Sequence, residues 1–432
     1  MNCDFDVIVI GAGAAGIGAG LALSRLKVSH IIIEAKDRIG GRAYSEAQSL
    51  GYLWDHGCHW FHSADKNVLR KIAERLGHGF RKEQLPDGYR SFIDGKPVPP
   101  SLLREYVWTQ LDAISEIGAN GQDVPASEVL DKTDPRYPLV RHWVNLMYSV
   151  EPEEVSTRDA GNCEYTGIDR AVSDGYGSLV AKLAAGLPIR LGTPASGVDV
   201  MHSAVKVTTS EGELSGKAVI VAVPQRIVEK GGIFFTPKLP AELESAFQNV
   251  PMGWYEKIAI GFDRQVFDSS LVYADVFEPS RPQNHPVNFE LHPFGRLIAI
   301  AHMGGNFARE MERQGEAAMV EFATGALVRS FGADLRKHIC KGVATHWGSD
   351  EHIGGAYSTA RPGHAQDRQL FSRPLHERVF FAGEHTSLTA MATAHGAYMS
   401  GIAAAHRAAE RAGYAPVESD SLWLPEGTLQ PV

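Results

Sequence analysis

The most constraining stretch of the 432-residue chain is its first, Phe5 to Arg42, which reads FDVIVIGAGAAGIGAGLALSRLKVSHIIIEAKDRIGGR. Asp6 to Ile10 is a short apolar run, β-branched from Val7 to Ile10, as suits a strand buried in a parallel sheet. Gly11, Gly13 and Gly16 follow as G-x-G-x-x-G. In that spacing the first glycine makes a tight turn, the second admits a pyrophosphate to the backbone, and the third lets a helix pack on the strand. The helix then points its free N–H groups and positive end at the phosphate. His30 to Ile33 returns as a second strand, closed by Glu34, 18 residues past Gly16, where a carboxylate can take ribose hydroxyls. The unit predicts a dinucleotide site on a Rossmann-like α/β framework. Alone, it does not separate NAD from FAD.

A chain this long exceeds one simple core, so two domains or one large composite are expected. Lys and Arg total 42 against 51 Asp and Glu, a net charge of −9 with no basic block. That balance does not suit nucleic-acid binding. The four cysteines, Cys3, Cys58, Cys163 and Cys340, form no C-x-x-C and read as reduced thiols. The 18 histidines supply no H-x-x-x-H on a convincing helix, so no metal site is expected. The first strand begins by residue 5, no apolar run approaches the ~18 residues of a membrane span, and Glu418 to Val432 holds acids and prolines. A soluble, cytoplasmic protein is expected.

Residues 50–62, LGYLWDHGCHWFH, mix aromatics, histidines and small residues as backbone lying against a flat ligand would. A helix follows near 66–76, a turn at Pro86-Asp-Gly, a strand at Tyr89 to Ile93, a hairpin signal at Asp94-Gly95, and helices near 101–118 and 137–150. Strand patterns at 189–191, 197–201, 204–208 and 217–223 return the chain to the dinucleotide domain, with Val198 a candidate backbone partner for adenine. Longer alternating strands at 255–262, 271–277 and 297–302 and a helix at 315–331 indicate a mixed or antiparallel sheet. A buried strand, Val379 onward, and an Ala- and Gly-rich helix, 393–412, end the pattern. The expected division is 1–80, 171–250 and 341–432 for the dinucleotide domain, and 81–170 and 251–340 for a substrate-binding domain.

Several motifs together name a family. Ile39-Gly40-Gly41-Arg42 resembles the glycine–arginine element of FAD-binding amine oxidases, which supplies N–H groups and a guanidinium for the diphosphate. Phe381-Ala-Gly-Glu-His-Thr386 and Ala392-Thr-Ala-His-Gly-Ala-Tyr-Met-Ser-Gly401 closely resemble the C-terminal FAD signature of the flavin-dependent amine oxidases, which include monoamine oxidases, polyamine oxidases and histone lysine demethylases. Asp55 to His62 looks like the D-x-G-x-x-W-x-H segment of polyamine-type members. Gly253 to Phe262 is similar to the strand bearing the family's active-site lysine, matched by Lys257. Trp347 and Tyr357, ten positions apart, match a tryptophan–tyrosine pair.

The resemblance implies a glutathione reductase-like FAD domain with a discontinuous α+β substrate domain on a mixed or antiparallel sheet. It assigns Gly11, Gly13, Gly16, Glu34, Gly41, Arg42, Gly57, Trp60, Val198, Gly383, Glu384, Thr393 and Ala394 to FAD. Lys257 is expected to organise a water, His62 to lie near substrate, and Tyr357 and Tyr398 to form an aromatic cage that orients an amine, with Trp347 beside it. Monoamine oxidases carry a cysteine bonded to the flavin just before the first cage tyrosine. Ala356 stands there, so the FAD is expected to be non-covalent.

The implied reaction is C–N oxidation by hydride transfer to flavin N5, giving an imine that hydrolyses to an aldehyde or ketone, with O2 reduced to H2O2. A polyamine-like or other small amine is the expected substrate. The alternatives are a C–C desaturase of the same fold and a non-catalytic FAD-binding partner. Oligomeric state cannot be read from the sequence.

Overall fold

The computed structural model describes residues 3–83 and 88–415. The turn expected around Pro86 and Asp87 and the tail from Glu418 lie outside the described residues. Phe5–Ile10 forms the first strand, and Val7, Ile8 and Val9 are wholly buried. It pairs in parallel with His30–Ile33 on one side and Gly212–Val221 on the other. The sheet runs Phe234–Thr236, Ala195–Val200, Val205–Thr209, Gly212–Val221, Phe5–Ile10, His30–Ile33, Ile189–Arg190. Val379–Phe381 also joins Gly212–Val221, in parallel, so the C-terminal motif lands beside the N-terminal one.

Two helices seal this domain. Ala14–Arg25 follows the glycine turn, and Ala394–Ala412 packs across it. Small residues set their spacing. A Cβ on Gly401 would lie 1.9 Å from the Ala15 carbonyl oxygen, and one on Gly18 would lie 2.4 Å from the Tyr398 carbonyl oxygen. Tyr398, Gly401, Ile402 and Ala405 recur at helical spacing and are all buried, so they share the face turned to Ala14–Arg25.

The second sheet is mixed, ordered Ile339–Ala344, Tyr255–Phe262, Ile298–Gly304, Val287–Leu291, Tyr273–Phe277, Tyr89–Ile93, Lys96–Val98. Only Tyr89–Ile93 with Tyr273–Phe277 is parallel. Asp94 and Gly95 both take positive φ, 50° and 76°, closing the hairpin of Tyr89–Ile93 and Lys96–Val98 as their sequence predicts. Ile339–Ala344 pairs with Tyr255–Phe262, so the chain stays with this sheet past Lys341. Val287–Leu291 and the helix Gly305–Gln314 escape the sequence patterns. The strand is only five residues long and the helix has glycine at its first position.

The two faces of this sheet differ in chemistry. Ile258, Ile260, Ala299, Ala301, Met303, Phe289 and Leu291 bury themselves with Ala308, Met311, Met319, Ala323 and Leu327 of the helices Gly305–Gln314 and Glu316–Phe331. Cross-strand partners share a face. Lys257 pairs with His302, His302 with Asn288, Asn288 with Asp275, and Glu290 with Tyr273. The opposite face is therefore a buried polar row, the place where this domain meets residues 55–61.

Gly401→Val should force the Ala14–Arg25 and Ala394–Ala412 helices apart and destabilise the protein by about 1–3 kcal/mol, the usual cost of overpacking. A thermal melt monitored by flavin release checks this, and an unchanged midpoint would contradict the close approach.

Candidate active site

The nucleotide end is built as a cradle. Helix Ala14–Arg25 begins at Gly13 with no side-chain cap and no acid in its first turn, leaving its N–H groups available. A Cβ on Gly13 would meet nothing within 4 Å, so there is open space over the turn. Gly11 needs its φ of +103°, and a Cβ on Gly16 would overlap the Gly11 carbonyl oxygen at 1.8 Å. Gly41 approaches the Gly13 Cα, and Gly40 bridges to Gly13. Glu34 is buried and accepts from the N–H of Ala12 at 2.7 Å and of Lys36 at 3.0 Å, which holds the carboxylate at the end of its strand. These residues fit a dinucleotide: uncapped helix dipole, glycine floor, positioned acid.

The second half comes from the far end of the chain. Arg42 donates to Glu384 at 3.0 Å and to the Ala356 carbonyl oxygen. Glu384 also accepts from Ser358 Oγ at 2.6 Å and from the Ala392 N–H at 3.0 Å. Burial works to raise the Glu384 carboxyl, but Arg42, His385 and Ser358 outweigh it and hold it at about 2. Thr393 caps helix Ala394–Ala412, accepting from the Gly396 N–H at 3.0 Å. Gly383 donates its N–H to Ser400 Oγ at 2.9 Å. Residues 42, 356–358, 383–384 and 392–394 thus converge although 342 positions separate Arg42 from Glu384.

Lys257 is the centre of the chemistry-bearing face. It is 1% exposed. Its Nζ donates to the carbonyl oxygens of Asp55 at 2.9 Å and Gly57 at 2.6 Å, and lies 2.9 Å from His59 Nδ1. Burial pushes it down to about 8, against the pull of Asp55 and Glu290. A Cβ on Gly57 would overlap the Arg42 carbonyl oxygen at 1.8 Å, so Lys257 and Arg42 grip one stretch of backbone. Tyr255, two residues away and on the same face, places its hydroxyl 2.7 Å from His302 Nδ1. The Tyr255 and Tyr357 rings are 6.0 Å apart, and Tyr357 donates its hydroxyl to the Leu146 carbonyl oxygen. Trp347 packs with Met252, Ile353 and Tyr44, and its indole donates to the His56 carbonyl oxygen at 3.2 Å.

Three expected residues sit elsewhere. Tyr398 lies in the core between two helices of the dinucleotide domain, because the helical period turns it toward Gly18. The ring facing Tyr357 is Tyr255. His62 is exposed and pairs with Asp169 at 3.2 Å. The histidine on Lys257 is His59, three residues earlier. Val198 is 1% exposed in a strand paired on both edges, with Val207 and Phe235, so the sheet already engages its backbone. Thr193, whose N–H donates to the Glu34 carbonyl oxygen at 2.8 Å, marks the chain that runs past the acid. The Trp60 ring is 6.0 Å from Tyr273 and 5.9 Å from His59. His59, Glu290 and His302 bring ligand-type atoms within 4.8 Å of one another, a cluster that no local spacing announces. Alternation on the strand at 297–302 could have pointed to His302.

A family model described as flavin containing amine oxidoreductase matches residues 133–409, more than half of the chain. The chain belongs to that family. A second model, an NAD(P)-binding Rossmann-like domain, matches residues 9–76, the unit around the glycine turn. Polyamine oxidase 2 of Arabidopsis thaliana is 28% identical over 93% of the chain and 87% of its own length. Mouse lysine-specific histone demethylase 1B is 27% identical over 94% of the chain but 53% of its own length, so the chain spans about half of that relative. A cyclohexylamine oxidase from Brevibacterium oxydans IH-35A superposes with a TM-score of 0.80 at 20% identity, covering 94% of this chain and 99% of that one, and shares the fold. This family member is a flavin-dependent amine oxidoreductase with a non-covalent FAD. Among the described residues, no helix is long and apolar enough to cross a membrane.

Glu384→Gln should leave Arg42 partly unpaired at the cradle and weaken FAD retention by about tenfold or more, since losing a charged partner in a buried site costs over ~1.4 kcal/mol. Gel filtration with absorbance at flavin wavelengths reads this directly. Tyr357→Phe should lower kcat/KM several-fold, whereas Tyr398→Phe should change it less than about twofold. The reverse order would restore Tyr398 to the site.

Proposed function

We propose that the substrate is a small polyamine-type amine, oxidised at the face that carries Lys257, Tyr255 and Tyr357. The observation that carries this reading is the buried Lys257, whose ammonium projects from an apolar-backed strand toward residues 55–59. A buried ammonium needs partners, and two backbone carbonyls hold this one in a single orientation. When bound, FAD supplies the two-electron acceptor for the C–N bond.

The chain's own residues have three tasks. Tyr255 and Tyr357 flank the space beside Lys257, and their ring faces attract and orient an amine. The desolvated surroundings that bring Lys257 down to about 8 also lower the pKa of an incoming ammonium, which favours the neutral amine with its lone pair free. The Lys257 ammonium spends its three donors on Asp55, Gly57 and His59, so it fixes residues 55–59 rather than the expected water, and Trp347 locks the loop from residue 347 to Tyr357 against His56. A C–C desaturase would have no use for a fixed ammonium beside paired phenols. We place the enzyme in the cytoplasm.

Two measurements test the proposal. A panel of mono-, di- and polyamines assayed for peroxide should give turnover with at least one amine, and anaerobic addition should bleach the flavin. Lys257→Met should slow flavin reduction or reoxidation at least tenfold while the protein remains yellow. Unaltered rates would remove the lysine from the reaction.

A further inference from the structure

Ten carboxylates are buried among the described residues: Glu34, Glu46, Asp55, Glu151, Asp159, Glu256, Asp275, Glu278, Glu290 and Glu384. Nine accept hydrogen bonds. Asp55, for example, takes Ser45 Oγ and the N–H groups of Tyr176 and Gly177. Asp275 takes Asn288 Nδ2 at 2.9 Å, and Glu256 takes Thr345 Oγ1 and two backbone N–H groups. Glu290, 4% exposed, accepts none. Its ion-pair contact is with His59 Nε2 at 3.8 Å, too long for a hydrogen bond. A buried carboxylate without a donor is costly, and native structures rarely leave one without a reason.

The setting indicates what completes it. Glu290 lies on the buried polar face, across from Tyr273 and separated from Lys257 by the His59 ring. The His59 and His302 rings stack at 5.6 Å between them. Trp60 stands 6.0 Å from Tyr273, and Tyr89 stacks on Tyr273 at 5.3 Å. Burial raises the Glu290 carboxyl to about 7, outweighing Lys257, Arg296 and Arg81, none of which comes within ion-pair distance. The site is thus an acidic group in an aromatic enclosure, one imidazole away from the residue that marks the reacting end of the substrate.

We propose that Glu290 anchors a second amino group of the substrate and makes the enzyme selective for di- and polyamines over monoamines. The proposal rests on the amine-oxidase reading above and adds a residue to it. The ammonium of the distal end donates to Glu290, and the rings of Trp60 and Tyr273 flank the methylene chain and its charge. His59, Glu290 and His302 could also be read as metal donors. Geometry favours the ammonium: the two imidazoles are nearly parallel, 11° apart, so their lone pairs do not converge, and the Lys257 ammonium already occupies His59 Nδ1. Asp275, the next acid on this face, is satisfied by Asn288, so it is not the anchor.

The test compares 1,4-diaminobutane with butylamine by steady-state peroxide production on the FAD-loaded enzyme. The wild type should prefer the diamine. Glu290→Gln should lower the diamine-to-monoamine ratio of kcat/KM about 10- to 100-fold, the range for losing a hydrogen bond to a charged group, mainly through KM. Glu290→Asp should recover part of the ratio, which a purely structural defect would not. A ratio unaltered by Glu290→Gln in a protein with a normal flavin spectrum would overturn the anchor. So would stoichiometric zinc in the wild type that Glu290→Gln loses. If neither amine bleaches the wild-type flavin while other amines do, the anchor fails alone. If no amine does, the amine-oxidase reading fails with it.

Discussion

The Lys257 ammonium ties the two sheets of this protein together. It leaves a strand of the mixed sheet and ends on the carbonyl oxygens of Asp55 and Gly57, backbone that is itself pressed against Arg42. Arg42 in turn pairs with Glu384 at the other end of the chain. One buried cation therefore links the substrate side, the segment lining the cofactor cleft and the C-terminal FAD motif. The cost of burying that charge is offset by several acceptors in fixed positions, which is what makes its orientation single.

The remainder follows from how each sheet divides its faces. The dinucleotide sheet is apolar on both sides, because helices cover it, and its polar work is confined to strand ends. The mixed sheet is apolar only toward the helices Gly305–Gln314 and Glu316–Phe331. Its other face collects Lys257, His302, Asn288, Glu290, Tyr273 and Asp275 through cross-strand register. Burying so many polar groups is tolerable because most of them satisfy one another, and the one carboxylate that is left over lies beside the expected position of substrate.

Glu256 and Lys257 illustrate how one residue step separates two roles. Lys257 points to the cleft, while Glu256 points the other way and takes Thr345 Oγ1 and the N–H groups of Trp347 and Gly348. That contact fastens the start of the loop that leads to Tyr357. The same alternation makes Tyr255 rather than Tyr398 the partner of Tyr357. The helix bearing Tyr398 obeys a period of 3.6 and directs that ring into the core with Gly401 and Ile402.

The sequence alone determined whatever is encoded by local spacing. It was enough to read the glycine turn between Val9 and Ala14, the acid at Glu34, the strand carrying Lys257, the Asp94-Gly95 hairpin and the C-terminal motif around Glu384. Each depends on backbone geometry or side-chain period within a few residues. Only the tertiary structure decided which groups meet. His59 rather than His62 reaches Lys257, Val198 is enclosed by neighbouring strands, and Glu290 joins the cleft from a five-residue strand with little pattern of its own. Those outcomes depend on strand register and helix facing between segments far apart in the chain, where a shift of one residue reverses the face a side chain occupies.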